Sequence, residues 1–209
     1  MKVLEGELLR RLIESSAQVL NSRTSASTRA AGDAIERIVG NLLPELLSDV
    51  NGTWESELGA RDRADARVQT IDGTTDFDIK THRTGRKFSR SNIISVKRLV
   101  DFYEKSTNVF VLVLVTYSVE GSDVTFESCR AFPVEWLSWD SLTLGLLGWG
   151  QLQFKTTGSY KLVDRQNRAE WMTELCDQLL AFYPREISKM VETRLTFFQR
   201  AREKWASKE

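Results

Sequence analysis

The 209-residue chain carries 29 basic and 29 acidic residues and is 41% hydrophobic, which is the make-up of a globular protein with enough core to fold without staples. Zero formal net charge argues against a non-specific nucleic-acid coat protein, while leaving room for a focused basic cleft. A single histidine, His82, and two distant cysteines, Cys129 and Cys176, argue against a zinc cluster, and the cysteines read as reduced core thiols.

In chain order, Val3, Leu4, Leu8, Leu9, Leu12 and Ile13 recur at helical spacing and predict an amphipathic helix over residues 2–20. The Ser/Thr-rich segment 21–28, with Arg23 and Arg29, reads as a linker or as a set of phosphate contacts. Gly32 opens a second helix with Ile35, Ile38, Val39, Leu42 and Leu43 on one side, and Pro44 kinks or divides it before Leu47. Thr53 to Leu58 alternates as a first sheet strand. Asp72-Gly73 then signals a two-residue hairpin turn between Asp65–Ile71 and Thr74–Lys80. That register pairs Val68 with Phe77 and Ala66 with Ile79 as an apolar face. Asp65, Arg67, Gln69, Asp76, Asp78 and Lys80 share the other face, with Asp65 opposite Lys80 and Asp78 diagonal to it.

Two carboxylates and an ammonium converging there have a specific chemistry. Asp65 and Asp78, with the carbonyl of Ile79, suit a hard cation such as Mg²⁺. A metal so held activates water and polarises a phosphoryl oxygen, and Lys80 is placed to orient the water or stabilise growing charge. A solvated hairpin face with a plain Asp–Lys pair is the alternative that the doublet alone leaves open.

From Ile79 to Val100 there is no acidic residue, while Arg83, Arg86, Lys87, Arg90, Lys97 and Arg98 follow Lys80. Such a run is a solvated face or, beside a phosphodiester-cleaving centre, a seat for a DNA backbone. Asn92 is expected to cap a helix over Ile93–Ser106, or to touch DNA. Asn108–Val119 reads as a buried central strand, Asp123–Phe132 as its antiparallel neighbour, and Gln151–Thr157 as a further strand with Gln151, Gln153 and Lys155 on one face. Between them Leu142–Gly150, rich in Gly and aromatic at Trp149, is a packed loop or one whose backbone, near Gly148, approaches base edges. Asn167-Arg168-Ala169-Glu170 looks like a capping box for a helix burying Met172, Leu175, Leu179 and Phe182. Pro184 is expected to start another helix, through Trp205, with Met190, Val191, Leu195 and Phe198 as its packing stripe. No segment is apolar for long enough to span a membrane and no secretory signal is seen, so a cytoplasmic protein is expected.

Asp65…Asp78-Ile79-Lys80 resembles the PD-(D/E)xK nuclease signature, with Ala64 standing where Pro is common. The ordered set Ala30-Ala31-Gly32 with Glu36, Asn92-Ile93-Ile94-Ser95, Gln151-Leu152-Gln153-Phe154 and Glu170-Trp171 resembles HincII/EcoRV-like type II restriction endonucleases, from about residue 28 to the C-terminus. The resemblance implies one α/β domain over 1–209 with a restriction-endonuclease-like fold, a mixed and mostly antiparallel sheet flanked by helices. Within it, 1–31 would be helix and linker, 32–160 the catalytic core and recognition loop, and 161–209 the C-terminal helices. It further implies a homodimer that cuts double-stranded DNA at a short palindrome, leaving blunt ends, with Mg²⁺ (Mn²⁺ may substitute) held by Asp65 and Asp78 and with Glu36 helping to hold the metal water. A partner methyltransferase would protect the host. Arg83, Arg86, Lys87, Arg90, Asn92, Gly148, Trp149, Gln151, Gln153, Lys155, Arg23 and Arg29 are the expected DNA contacts. A repair or recombination nuclease without a fixed sequence, and a non-catalytic DNA-binding module, are the alternatives.

Overall fold

A computed structural model describes the chain except residues 17–26, 57, 59–61, 86–90, 122, 157–158, 164–165 and 208–209. The chain forms two compact units, Met1–Arg165 and Gln166–Glu209. The first is built on a central mixed sheet flanked by helices. Its strands are β1 (Thr53–Ser56), β2 (Ala66–Gln69), β3 (Thr74–Arg83), β5 (Val109–Glu120) and β6 (Asp123–Pro133), in spatial order β1-β2-β3-β5-β6. Only β3 and β5 pair in parallel; the other neighbours are antiparallel. A second, antiparallel sheet has the order β4-β8-β7, from β4 (Asn92–Ser95), β7 (Leu142–Gly145) and β8 (Gln151–Phe154).

Helices α1 (Lys2–Glu14) and α2 (Thr28–Leu46) cover one face of the central sheet. Leu4, Leu8 and Leu12 of α1 and Ile35, Val39 and Leu43 of α2 pack in one core with Ala66, Val68, Phe77, Ile79 and the odd-numbered residues of β5. The expected helical stripes and the apolar hairpin face therefore meet each other. Helix α2 starts four residues before Gly32, capped by the Ser27 side chain, which accepts from the Ala30 N–H; Pro44 lies inside it.

Three local expectations are corrected. The hairpin register is offset by two residues: Gln69 pairs with Thr74, Arg67 with Asp76 and Ala66 with Phe77. The turn is the four residues Thr70–Gly73, closed by the Thr70 N–H to the Gly73 carbonyl (2.9 Å) and tightened by the Thr70 hydroxyl, which accepts from the Gly73 N–H (3.2 Å). Gly73 has no positive φ. A Cβ there would lie 2.7 Å from the Thr107 carbonyl, so glycine serves a close approach and not a left-handed turn. Secondly, Ile93–Ser95 is strand, paired with β8, and helix α3 spans only Val96–Tyr103; its N-cap is Ser95, so Asn92 caps nothing. Thirdly, Leu142–Gly145 is strand, leaving a short turn at 146–150 with Gly148 and Gly150 at positive φ. Leu142 is buried, whereas Leu147 and Trp149 are exposed.

The second unit contains helix α4 (Arg168–Lys189), a π-helical segment Met190–Leu195, and helix α5 (Thr196–Ala206). Asn167 caps α4, accepting from the Ala169 N–H (2.8 Å), but the reciprocal Glu170 bond of the expected capping box is absent among the described residues. Pro184 lies within α4 and begins no new helix. The Arg185 guanidinium donates to the Ala181 carbonyl beside it (3.0 Å), an added side-chain donor in the turn where proline supplies no N–H. Met190, Val191, Leu195 and Phe198, expected to pack, are exposed. Cys129 is buried, with burial pushing its thiol up to about 12, but Cys176 is exposed; neither forms a disulfide. Among the described residues, no helix is long and apolar enough to cross a membrane.

Candidate active site

Position and chemistry of the acidic cluster follow from the hairpin. Alternation along β3 sends Phe77 and Ile79 into the helical core, so Asp76, Asp78 and Lys80 emerge on the opposite face. An offset of two residues preserves that assignment, since side chains repeat every second position. It changes the partners instead: the Asp65 N–H donates to the Phe77 carbonyl (2.9 Å), so the register continues to Asp78, not Lys80, beside Asp65.

The Asp65 Oδ2 accepts from the Ile79 N–H at 2.7 Å, which ties the first carboxylate to the backbone of the second motif. Asp78 is 5% exposed. Its Oδ1 accepts from the Lys80 ammonium at 2.7 Å, and its buried Oδ2 has no hydrogen-bond partner. Burial without full compensation pushes the Asp78 carboxyl up to about 7; Lys80 opposes this and Asp65 reinforces it. Burial alone would lower the Lys80 ammonium, but Asp78 and Asp65 outweigh it and hold its pKa above the usual value.

Glu36 joins from α2. A Cβ on Gly32 would lie 2.8 Å from the Thr81 hydroxyl, so glycine is what lets the helix press onto β3 at that point. Glu36, one turn later on the same face, is thereby brought near Asp65. Burial first, then the Asp65 charge, raises the Glu36 carboxyl to about 7.

A cleft of about 560 Å³ opens over Asp65, Asp78 and Lys80, and Gly148, Trp149 and Gln151 form part of its wall. Glu36 and Asp65 border a neighbouring cleft of about 380 Å³. Ser95 and Arg98 also line the main cleft. Neither is among the site residues that the sequence suggests: Ser95 stands in an expected helix, within the Asn92–Ser95 motif, and Arg98 is one of many in the basic run. Its guanidinium donates to the Asp62 carbonyl (3.1 Å) and has no carboxylate partner among the described residues. Only the strand β4 and the turn into α3 bring it here.

The remaining expected contacts are dispersed. Arg83 ends β3, Arg29 is exposed in the first turn of α2, and Lys155 follows β8 with its ammonium toward the Trp139 carbonyl (3.5 Å). None of the three lines the main cleft. Asn92 and Gln153 bond each other across β4 and β8. Arg23, Arg86, Lys87 and Arg90 lie outside the described residues.

No family model matches the chain, and no curated protein matches its sequence.

The donor set must therefore be judged by its chemistry. Among the described residues no three carboxylate, histidine or cysteine side chains gather closely enough to form a cage. Two carboxylates and the Ile79 carbonyl are the oxygens that would hold a cation there. That suits Mg²⁺, which keeps several waters and is usually bound through one or two carboxylates. The unpartnered Asp78 Oδ2 is an acceptor that a cation would satisfy.

Asp76, on the same face, has a different fate. It is fully buried and bonded to Arg63 and to Arg67 (2.6 Å), while Arg67 also reaches Asp62 (2.8 Å) and Glu55 (3.4 Å). Arg63 additionally lies over the Phe102 ring, 4.5 Å from its centroid. This network is structural, and the spacing of the acids did not distinguish it from the candidate ligands.

Proposed function

We propose that the chain is a Mg²⁺-dependent type II restriction endonuclease with a restriction-endonuclease-like fold. It would hydrolyse phosphodiester bonds in duplex DNA at a short palindrome. One observation carries this: Asp65, Asp78 and Lys80 meet in one cleft, tied by the Asp65–Ile79 and Asp78–Lys80 bonds, with one Asp78 oxygen unpartnered. A bound Mg²⁺, for which Mn²⁺ would substitute, supplies Lewis acidity at the phosphoryl oxygen and a more acidic water. The chain's own parts have distinct tasks. Asp65, Asp78 and the Ile79 carbonyl hold the cation. The Lys80 ammonium faces the charge that develops on the non-bridging phosphoryl oxygens. Glu36 is placed to hold water at the edge of the site and, with its carboxyl near 7, to accept a proton. Gly148 and Trp149 of the 146–150 turn, with Gln151 of β8, form a wall that a DNA groove can approach. Two copies would cut the two strands, because two-fold protein symmetry matches a palindrome. Blunt ends, and a methyltransferase that protects host DNA, belong to the same proposal.

The raised carboxyls give a test independent of cleavage. The folded chain holds protons on Glu36 and Asp78 that the unfolded chain releases between about pH 4 and 7, so metal-free stability falls as pH rises through that window. Mg²⁺ competes with the same protons, so its affinity should rise about tenfold per pH unit, for each proton displaced, up to about pH 7. Thermal melts at pH 5.5 and 7.5, with and without Mg²⁺, should show the larger metal-induced stabilisation at the higher pH. Equal stabilisation at both would count against these ligands.

The direct experiment is incubation of the purified protein with phage DNA and Mg²⁺. Discrete fragments are expected. A smear indicates a nuclease without sequence preference, and intact DNA in both Mg²⁺ and Mn²⁺ removes the enzymatic proposal.

A further inference from the structure

Strand β8 turns Leu152 and Phe154 into the core, so Gln151 and Gln153 share the opposite face. Across that face, Gln151 is flanked by Ser95 and Gly145, and Gln153 by Asn92 and Thr143. The strip is polar and uncharged, which suits base edges better than phosphates. It begins in the catalytic cleft, where Gln151 and Ser95 are wall residues, and Gln153 is one step outward, roughly 7 Å along the strand.

At that step two amides are locked together. Gln153 Nε2 donates to Asn92 Oδ1 at 2.6 Å, in an exposed position. The Gln153 amide lies against the bare backbone of Gly145: a Cβ there would stand 2.7–2.9 Å from its Nε2, Cδ and Oε1. Neither side chain makes another hydrogen bond among the described residues. Each amide has an acceptor oxygen with two lone pairs and an NH₂ with two N–H donors. The mutual bond occupies one Gln153 N–H and one Asn92 lone pair, leaving the Asn92 NH₂ as a wholly free donor and the Gln153 oxygen as a wholly free acceptor. Exchanging O and N in both amides leaves the same complement, so the result is independent of that assignment.

We propose that this Asn92–Gln153 pair reads the major-groove edge of adenine, making an A·T pair a required position of the recognition site. Adenine presents an acceptor at N7 and a donor at N6, which match the pair. Guanine presents two acceptors, so one would face the free amide oxygen. The expected preference for A·T over G·C at this position is about 5- to 150-fold, the range of one good bidentate contact. The inference rests on the duplex-DNA proposal above and adds its base specificity.

The test is selection of tightly bound duplexes from a random-sequence pool, with Ca²⁺ replacing Mg²⁺, followed by sequencing. Wild type should enrich a motif with an invariant A·T pair. Gln153→Ala and Asn92→Ala should lose the preference there and keep it elsewhere. Gly145→Ala should do the same while retaining both amides, because its methyl group displaces only the end of a flexible side chain. A motif without an A·T pair, variants that keep the preference, uniform weakening at all positions, or no enrichment would each overturn the inference. If wild type enriches the motif but leaves it uncut in Mg²⁺, the nuclease proposal fails while the base-reading role stands.

Discussion

Asp78→Asn is expected to lower the cleavage rate on the order of 10³-fold, the scale of removing one preorganised charge-stabilising group. The substitution keeps the side chain's size, and the amide oxygen can still accept from Lys80 across the present 2.7 Å contact. What disappears is the negative charge and the unpartnered Oδ2 acceptor. Mg²⁺ would then be held by Asp65 and the Ile79 carbonyl alone, so its affinity should fall together with the rate. Single-turnover cleavage with a Mg²⁺ titration, beside circular dichroism to confirm folding, measures both. A folded variant cutting within tenfold of wild type at saturating Mg²⁺ would sink the assignment of Asp78 as a ligand.

Asp76→Asn, two residues away and on the same face, should behave in the opposite way. Asp76 is fully buried between Arg63 and Arg67, and Arg67 is itself only 11% exposed. Removing the charge leaves desolvated guanidinium groups short of a partner, which costs about 3–5 kcal/mol in buried pairs. The low end, about 3 kcal/mol, is expected because Arg67 keeps Asp62 at 2.8 Å. Equilibrium urea unfolding measures the loss directly. Cleavage per folded molecule should stay within tenfold of wild type, since no Asp76 oxygen is left unbonded toward the cleft. A stability change below about 1 kcal/mol, together with a collapse in activity, would reverse the roles given to the two aspartates.

These neighbouring acids mark the boundary of what the sequence discloses. Alternation along Asp65–Lys80 showed which side chains share a face, and the structure keeps that assignment. It could not say which acid is neutralised, because Arg63 lies outside the hairpin pattern and its pairing depends on the loop that precedes β2. Register, too, is not legible in the hairpin sequence. Asp-Gly suggested a two-residue turn, but the Thr70 side chain closes a four-residue one, and the approach of Thr107 is what requires Gly73. The two-residue error left the faces intact and changed the cross-strand partner of Asp65 from Lys80 to Asp78.

Helix stripes, the alternation of the hairpin, the apolar run of β5 and the Asn167 cap are set by side chains within a few positions of one another, and the sequence by itself determined them. Whether Ile93–Ser95 would be helix or strand depended on β8, more than fifty residues away, because an unpaired strand has no local pattern to distinguish it from the start of α3. Exposure of Met190, Val191, Leu195 and Phe198 is likewise not legible in their periodicity, which marks an apolar stripe but not whether anything covers it. The meeting of Glu36 with Asp65, Arg98 with the cleft, and Asn92 with Gln153 was decided only by tertiary structure. Each joins elements whose relative position is set by packing and strand pairing across long stretches of chain, and local side-chain chemistry carries no record of that distance.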